Sequence, residues 1–381
     1  MDFDLSPEQS LHRENVIAFA RKELNDDVLD RDRVHSFSRA AWEKCADFGI
    51  QGLPIPEEFG GSGAGALTTM LTMEALGYGS KDNGLIFSLN AQMWACQMPL
   101  LRFGSDDQKQ RFLPSLCAGT SVAAHAMSEP ESGSDAFALS ATAKRTTEGY
   151  VLNGSKSFVT NGPVADLFVV FATLDKSRGF AGLCAFLVEA GTSGLTVGPP
   201  LHKMGLRTSP MSELFLDGCE VSGESLLGKA GGGMVVFHHA MEWERSCILA
   251  CTVGTMQRQL EACLQQARDR SQFGRRIGDF QAVSHRIVDM KLRVETARLL
   301  LYRLGWQMDR GVVDRGSSAL VKLHLSESFV RSSLDALQIF GAYGYLEETE
   351  IEREVRDAIG SRLYSGTSEI QRNVIAHSMG L

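Results

Sequence analysis

Leu167-Phe168-Val169-Val170-Phe171 is an unbroken apolar run rich in β-branched and aromatic side chains. Cys184-Ala185-Phe186-Leu187-Val188 repeats that texture, and Tyr150-Val151-Leu152 precedes it. Gly, Asn and Ser separate the runs, which is the pattern of a small antiparallel sheet or barrel. The texture starts near residue 121 and stops near Leu227. On either side the chain reads as helix. Upstream, Ser6-Pro7-Glu8-Gln9 combines an N-cap, a proline at the first helical position and a capping-box glutamine. Ser105-Asp106-Asp107-Gln108 repeats the start signal, and a loop with two prolines and three glycines lies between them at residues 53–63. Downstream, helical segments at 234–269, 280–311, 315–341 and 366–379 predict an antiparallel bundle. The expected fold class is therefore α+β. It comprises an N-terminal α-helical domain at 1–120, a small antiparallel β-barrel domain at 121–227 and a C-terminal four-helix-bundle domain at 228–381.

A chain of 381 residues is too long for one ordinary core. With 44% apolar and 22% charged residues it has the composition of a globular protein. A net charge of -8 and the lack of any basic block argue against nucleic acid as a partner. No apolar run is long enough to span a membrane. The acidic start Met1-Asp2-Phe3-Asp4-Leu5 lacks the regions of a signal peptide, so a cytoplasmic location is expected. Eight scattered cysteines without a Cys-x-x-Cys pair predict buried thiols and no metal site.

Five separated motifs run through the chain in order. They are Pro54-Ile55-Pro56-Glu57-Glu58-Phe59-Gly60-Gly61, then Met127-Ser128-Glu129-Pro130-Glu131-Ser132-Gly133-Ser134-Asp135, then Asn153-Gly154-Ser155-Lys156-Ser157-Phe158-Val159-Thr160-Asn161-Gly162. Arg270-Ser271-Gln272-Phe273-Gly274, followed by Gln281, is the fourth. Gln338-Ile339-Phe340-Gly341-Ala342-Tyr343-Gly344 with the terminal Tyr364-Ser365-Gly366-Thr367-Ser368-Glu369 is the fifth. Together they resemble the acyl-CoA dehydrogenase family over essentially the whole chain.

The resemblance implies FAD as cofactor. Met127, Ser128, Gly133, Ser134 and Thr160 would approach the flavin with backbone groups and small hydroxyls, and Phe158 would cover one ring face. A residue without Cβ, such as Gly133, lets backbone come close to a ligand. Arg270, Phe273, Gln281, Gln338 and Gly341 would serve the diphosphate half from a neighbouring subunit, and Thr367 and Glu369 the adenosine half. A homotetramer, built as a dimer of dimers, follows from that sharing.

The family reaction takes a proton from the carbon α to a thioester carbonyl and passes hydride to flavin N5. In many members a glutamate precedes the terminal Gly-Thr-Ser as the base; here Ser365 stands there. A minority places the glutamate on the first long helix of the C-terminal bundle, just before an arginine, as in isovaleryl-CoA dehydrogenases. Met241-Glu242-Trp243-Glu244-Arg245 puts Glu244 at that place, and Ser365 fits the small residue that leaves room. Helical periodicity supports it independently. One turn from Glu244 lie Ala240, Met241, Cys247 and Ile248, all apolar, whereas Glu242 is flanked by His238, His239, Arg245 and Ser246. A carboxylate on an apolar face needs a reason. The bland alternative is a buried ion pair with Arg245 or a distant arginine.

Ser134, Glu242, Arg245, Tyr364 and Gly366 are the residues expected at the substrate. Lys203-Met204-Gly205-Leu206-Arg207-Thr208-Ser209-Pro210-Met211-Ser212-Glu213-Leu214 is similar to a natural-product branch that oxidises prolyl or other acyl groups on carrier proteins. The substrate expected is thus an acyl-CoA or an acyl or aminoacyl carrier protein. Lys203, Arg207 and Arg275-Arg276 are candidates for docking an acidic carrier. An electron-transferring flavoprotein or oxygen would take the electrons. An oxidase on the same fold and a non-catalytic scaffold binding thioesters or carriers are the competing readings.

Overall fold

The computed structural model of the chain describes residues 4–314 and 316–381. Met1-Asp2-Phe3 of the acidic start and Arg315, the first residue of the segment expected at 315–341, lie outside the described residues. The N-terminal helices are α1 (Pro7–Glu23), α2 (Val28–Val34), α3 (Arg39–Asp47), α4 (Ala66–Gly79), α5 (Asn83–Gln92), α6 (Met98–Phe103) and α7 (Asp106–Cys117). Both expected capping boxes form. The Ser6 and Ser105 hydroxyls accept from the backbone amides of Gln9 and Gln108, whose side chains accept in return. Between α5 and α6 the helix widens into a π-turn at Met93–Gln97.

Eight strands follow: β1 (Ala123–Ala126), β2 (Thr142–Arg145), β3 (Gly149–Thr160), β4 (Leu167–Thr173), β5 (Leu183–Glu189), β6 (Leu195–Val197), β7 (Met211–Ser222) and β8 (Leu226–Leu227). Their hydrogen-bonded order is β6-β7-β3-β2-β4-β5-β8, with β1 alongside β4. Most pairs are antiparallel as expected, but β1 and β2 run parallel to β4. Leu167, Val169 and Phe171 of β4 join the core shared with the helices, while Phe168, Val170 and Ala172 fill a second core on the other face. Successive side chains on a strand point to opposite faces, so burial on both faces gives a continuous apolar run.

The C-terminal part holds α8 (Gly233–Cys247), α9 (Ala250–Asp269), the short hairpin β9 (Ser271–Gln272) and β10 (Arg275–Arg276), then α10 (Gln281–Asp309), α11 (Ser317–Phe340), α12 (Ile351–Gly360) and α13 (Ser368–Ser378). The segment expected as one helix at 234–269 breaks at Ile248-Leu249. There the Thr252 backbone amide and hydroxyl both donate to the Leu249 carbonyl, at 3.0 and 2.7 Å, and start a new helix. Helix α12 stands apart from the segments expected from sequence. Helices α4 and α9 cross with almost no space between backbones. A Cβ on Gly77 would lie 1.9 Å from the Cys251 carbonyl oxygen, and one on Gly254 2.0 Å from that of Glu74. Of the eight cysteines, Cys251 is half-buried and the other seven are buried. Among the described residues no helix is long and apolar enough to cross a membrane.

Candidate active site

A cavity of about 780 Å³ opens where the end of the sheet meets α5, α8, α12 and the loop before α13. Its sheet wall is built by a register shift. Between Lys156 and Val159, β3 carries one residue more than β7 opposite. Such a bulge re-aims side chains. It leaves Phe158 in the left-handed region (φ 57) with 66% of its surface exposed on the cavity wall. The Ser157 amide donates to the Ser128 carbonyl at 2.9 Å, joining the bulge to the segment that carries Met127, Ser128, Gly133 and Ser134. All four line the cavity with Thr160. Beneath them Lys156, fully buried, donates to Glu129 Oε1 at 2.7 Å and to the Met127 carbonyl at 3.2 Å. Burial pulls the Lys156 ammonium down to about 8. The buried Asn161 amide donates to the carbonyls of Ser88 and Ala123, tying the strand end to α5 and β1.

Glu244 enters the cavity from α8. Ala240, Met241, Cys247 and Ile248 around it are buried, as the helical period requires. Burial raises the Glu244 carboxyl above its ordinary value; the Ser365 hydroxyl, Arg245 and Lys322 oppose that rise. Ser365 donates to Glu244 Oε1 at 2.7 Å. The alternative, a buried ion pair of Glu244 with Arg245 or a distant arginine, does not form within salt-bridge distance among the described residues, where the buried Arg245 Nε has no partner. Arg245, Tyr364, Gly366 and Thr367 all line the cavity. Tyr364 packs its ring against Phe87 at 4.6 Å.

Glu242 is displaced from the site. Residues two positions apart on a helix are separated by about 200°. Glu242 is therefore turned away from Glu244, exposed, and borders a smaller cavity with Trp243 and Asp309. Arg270, Phe273, Gln281, Gln338 and Gly341 also lie away from the main cavity. Arg270 stacks on Tyr343 at 5.3 Å, and Phe273 meets Phe280 at 6.1 Å while 94% exposed. Glu369 projects from the first turn of α13 beside Arg372. Of the four candidate docking cations, three are engaged, while Arg276 is exposed. Lys203 turns into the cavity wall and donates to the Ser209 carbonyl, Arg207 pairs with Asp32 at 3.7 Å, and Arg275 covers the Phe280 ring at 4.0 Å.

His125 is a cavity residue that the sequence reading passed over. Strand alternation places it on the same face as Met127, which was the available signal. It packs between Phe171 and Phe237, and its buried Nε2 has no partner. Burial lowers its imidazole to about 4, so it stays neutral at physiological pH. The unfolded chain, with a histidine near 6.5, then binds more protons below that value. Stability is complete above pH 6.5 and falls by about 3 kcal/mol as pH drops through 4. In urea titrations of FAD-free protein, His125→Gln is expected to lack that loss relative to the parent; equal pH dependence would refute it.

Three family models match the chain: the acyl-CoA dehydrogenase N-terminal domain at residues 6–120, the middle domain at 124–219 and the C-terminal domain at 231–380. The chain belongs to the acyl-CoA dehydrogenase family. It is 44% identical over 381 residues to an L-prolyl-[peptidyl-carrier protein] dehydrogenase of a Serratia species, covering 100% of this chain and 99% of the relative. The Pseudomonas fluorescens protein of the same name is 42% identical, with 100% of both covered. Among solved structures, the prolyl acyl carrier protein oxidase AnaB superposes with a TM-score of 0.98 at 49% identity, covering 99% of this chain and 100% of that one.

The residues present fit a flavin. Ser128 and Thr160 line the cavity, and their hydroxyls have no hydrogen-bond partner among the described residues. The unpartnered His125 Nε2 is a third polar group there, Phe158 offers a flat apolar face, and nothing lies within 4 Å of a Cβ placed on Gly133.

Proposed function

We propose that this protein is an FAD-dependent dehydrogenase of a prolyl-type thioester presented on a carrier protein. The observation that carries the reading is Glu244, the one glutamate among the described residues lining the cavity that also holds Phe158 and Thr160, its carboxyl bonded by the Ser365 hydroxyl. FAD, when bound, supplies a two-electron acceptor. Glu244 takes the proton from the carbon α to the thioester carbonyl. Its buried setting raises its proton affinity toward working pH, which suits a base. Phe87, Tyr364 and the small side chains of Ala91 and Ala95 enclose the acyl group and exclude water. Met127, Ser128, Gly133, Ser134, Phe158 and Thr160 hold the flavin ring, and Arg245, Tyr364 and Gly366 meet the substrate. The relatives' names support a prolyl group on a carrier rather than an acyl-CoA.

The exposed patch of Arg270, Phe273, Gln281, Gln338 and Gly341 serves the cofactor of a neighbouring copy, and Thr367 and Glu369 complete its own subunit's side. The apolar stripe Val288, Leu292, Leu299 and Trp306 on α10 supports burial between copies, in a homotetramer. Seven buried cysteines suit the reducing cytoplasm. Oxygen is the acceptor favoured by the name of the AnaB oxidase, with an electron-transferring flavoprotein as the second reading. Anaerobic mixing with a prolyl-loaded carrier domain is expected to bleach the flavin, whereas acyl-CoAs leave it oxidised. Bleaching by acyl-CoAs alone would overturn the substrate assignment. Hydrogen peroxide formed in air then identifies oxygen as acceptor.

A further inference from the structure

The loop opposite Glu244 has a conformation that serine does not favour. Ser365 sits at φ 56 and Gly366 at φ 85. Glycine adopts the first of these freely, whereas a residue with a Cβ is strained there. Yet the loop is fixed by contacts that do not involve the Ser365 hydroxyl. Lys322, fully buried, donates from Nζ to the Gly366 carbonyl at 2.7 Å. Gln371, also fully buried, donates from Nε2 to the carbonyls of Ser365 and Gly366 at 3.0 and 2.8 Å. Thr367 caps α13 by accepting from the Ile370 amide at 3.3 Å. A strained serine in a loop braced by other residues needs a reason of its own.

We propose that Ser365 is a positioning residue whose hydroxyl holds the Glu244 carboxylate in one orientation toward the cavity. The proposal rests on Glu244 being the base. The 2.7 Å bond to Oε1 leaves Oε2 as the oxygen free to receive a proton. A donor to a carboxylate also favours its charged form. The other charged or titratable groups facing Glu244 come from every wall. They are Arg245 on α8, Lys322 on α11, Cys96 in the π-turn and Tyr364 in the loop. Burial holds Cys96 and Tyr364 neutral, and pulls the Lys322 ammonium down to about 8. Above that pH the pull of Lys322 fades and Ser365 becomes the main neutral group keeping Glu244 ionised.

Ser365→Ala and Ser365→Gly remove the donor; Ser365→Thr keeps one. Loss of the donor raises the carboxyl, so the acidic limb of the anaerobic flavin-reduction rate is expected to move up by about one pH unit in Ala and Gly. Thr is expected to restore it. Infrared titration of the carboxyl band in FAD-free protein, with Glu244→Gln as the blank, is expected to show the same displacement. A packing role alone would change melting temperature and leave both readouts unmoved. An unmoved limb and band in both Ala and Gly overturns the proposal. Parent-rate reduction by Glu244→Gln would instead remove the base assignment, and the infrared band would still decide whether Ser365 holds the carboxylate.

Discussion

Replacing Glu244 with Gln lowers the rate of anaerobic flavin reduction by about 10²–10⁴-fold, the range lost when a positioned general base is removed. The substitution keeps the shape of the side chain and an oxygen that can accept from Ser365. Bound flavin should therefore keep its absorbance spectrum. The fold should lose nothing, because the neutral amide is easier to bury than a carboxyl that burial already penalises. Stopped-flow absorbance with a prolyl-loaded carrier checks the first part and thermal melting the second. Reduction at the parent rate would mean that another group takes the proton, and the described cavity offers no second glutamate.

Glu129→Ala destabilises the protein by about 3–5 kcal/mol, the cost of leaving one member of a buried ion pair alone. Glu129 accepts from Lys156 Nζ and from the backbone amides of Ser140 and Ala141 at once. Without it Lys156, with no exposed surface, keeps only the Met127 carbonyl. The same change frees the segment bearing Ser128 and Gly133, so FAD affinity falls alongside stability. Glu129→Leu combined with Lys156→Met is expected to recover much of the stability and little of the affinity. Urea denaturation separates the two, with flavin fluorescence reporting binding. If the single variant loses less than about 1 kcal/mol, the pair is not what fixes this wall.

The sequence made the three layers legible because each has its own period. The double-faced run Leu167–Phe171, the two capping boxes and the apolar neighbours of Glu244 are local patterns, and local patterns survive folding. What it hid was three-dimensional. The expected helix at 234–269 carries no proline, and its break at Ile248-Leu249 is visible only where the Thr252 amide and hydroxyl both donate to the Leu249 carbonyl. Lys203 and Arg207 read as free surface cations until their partners Ser209 and Asp32 are placed beside them. Glu242 lay two residues from the base, yet helix rotation sends it to another cavity. The bond between Ser365 and Glu244 joins residues 121 apart in sequence and leaves no periodic trace.

The crossing of α4 and α9 has a consequence for how the chain comes off the ribosome. Helix α4 is buried nearly all round, and its Gly77 is covered by Cys251. A helix apolar on every side has no stable exposed state. Its cover is synthesised only after the entire sheet has emerged. During that interval the amino-terminal helices expose a sticky, uncapped surface, and domains made first elsewhere can usually fold first. Here the first domain cannot finish alone, so nascent chains halted before Gly254 should be chaperone clients rather than folded fragments.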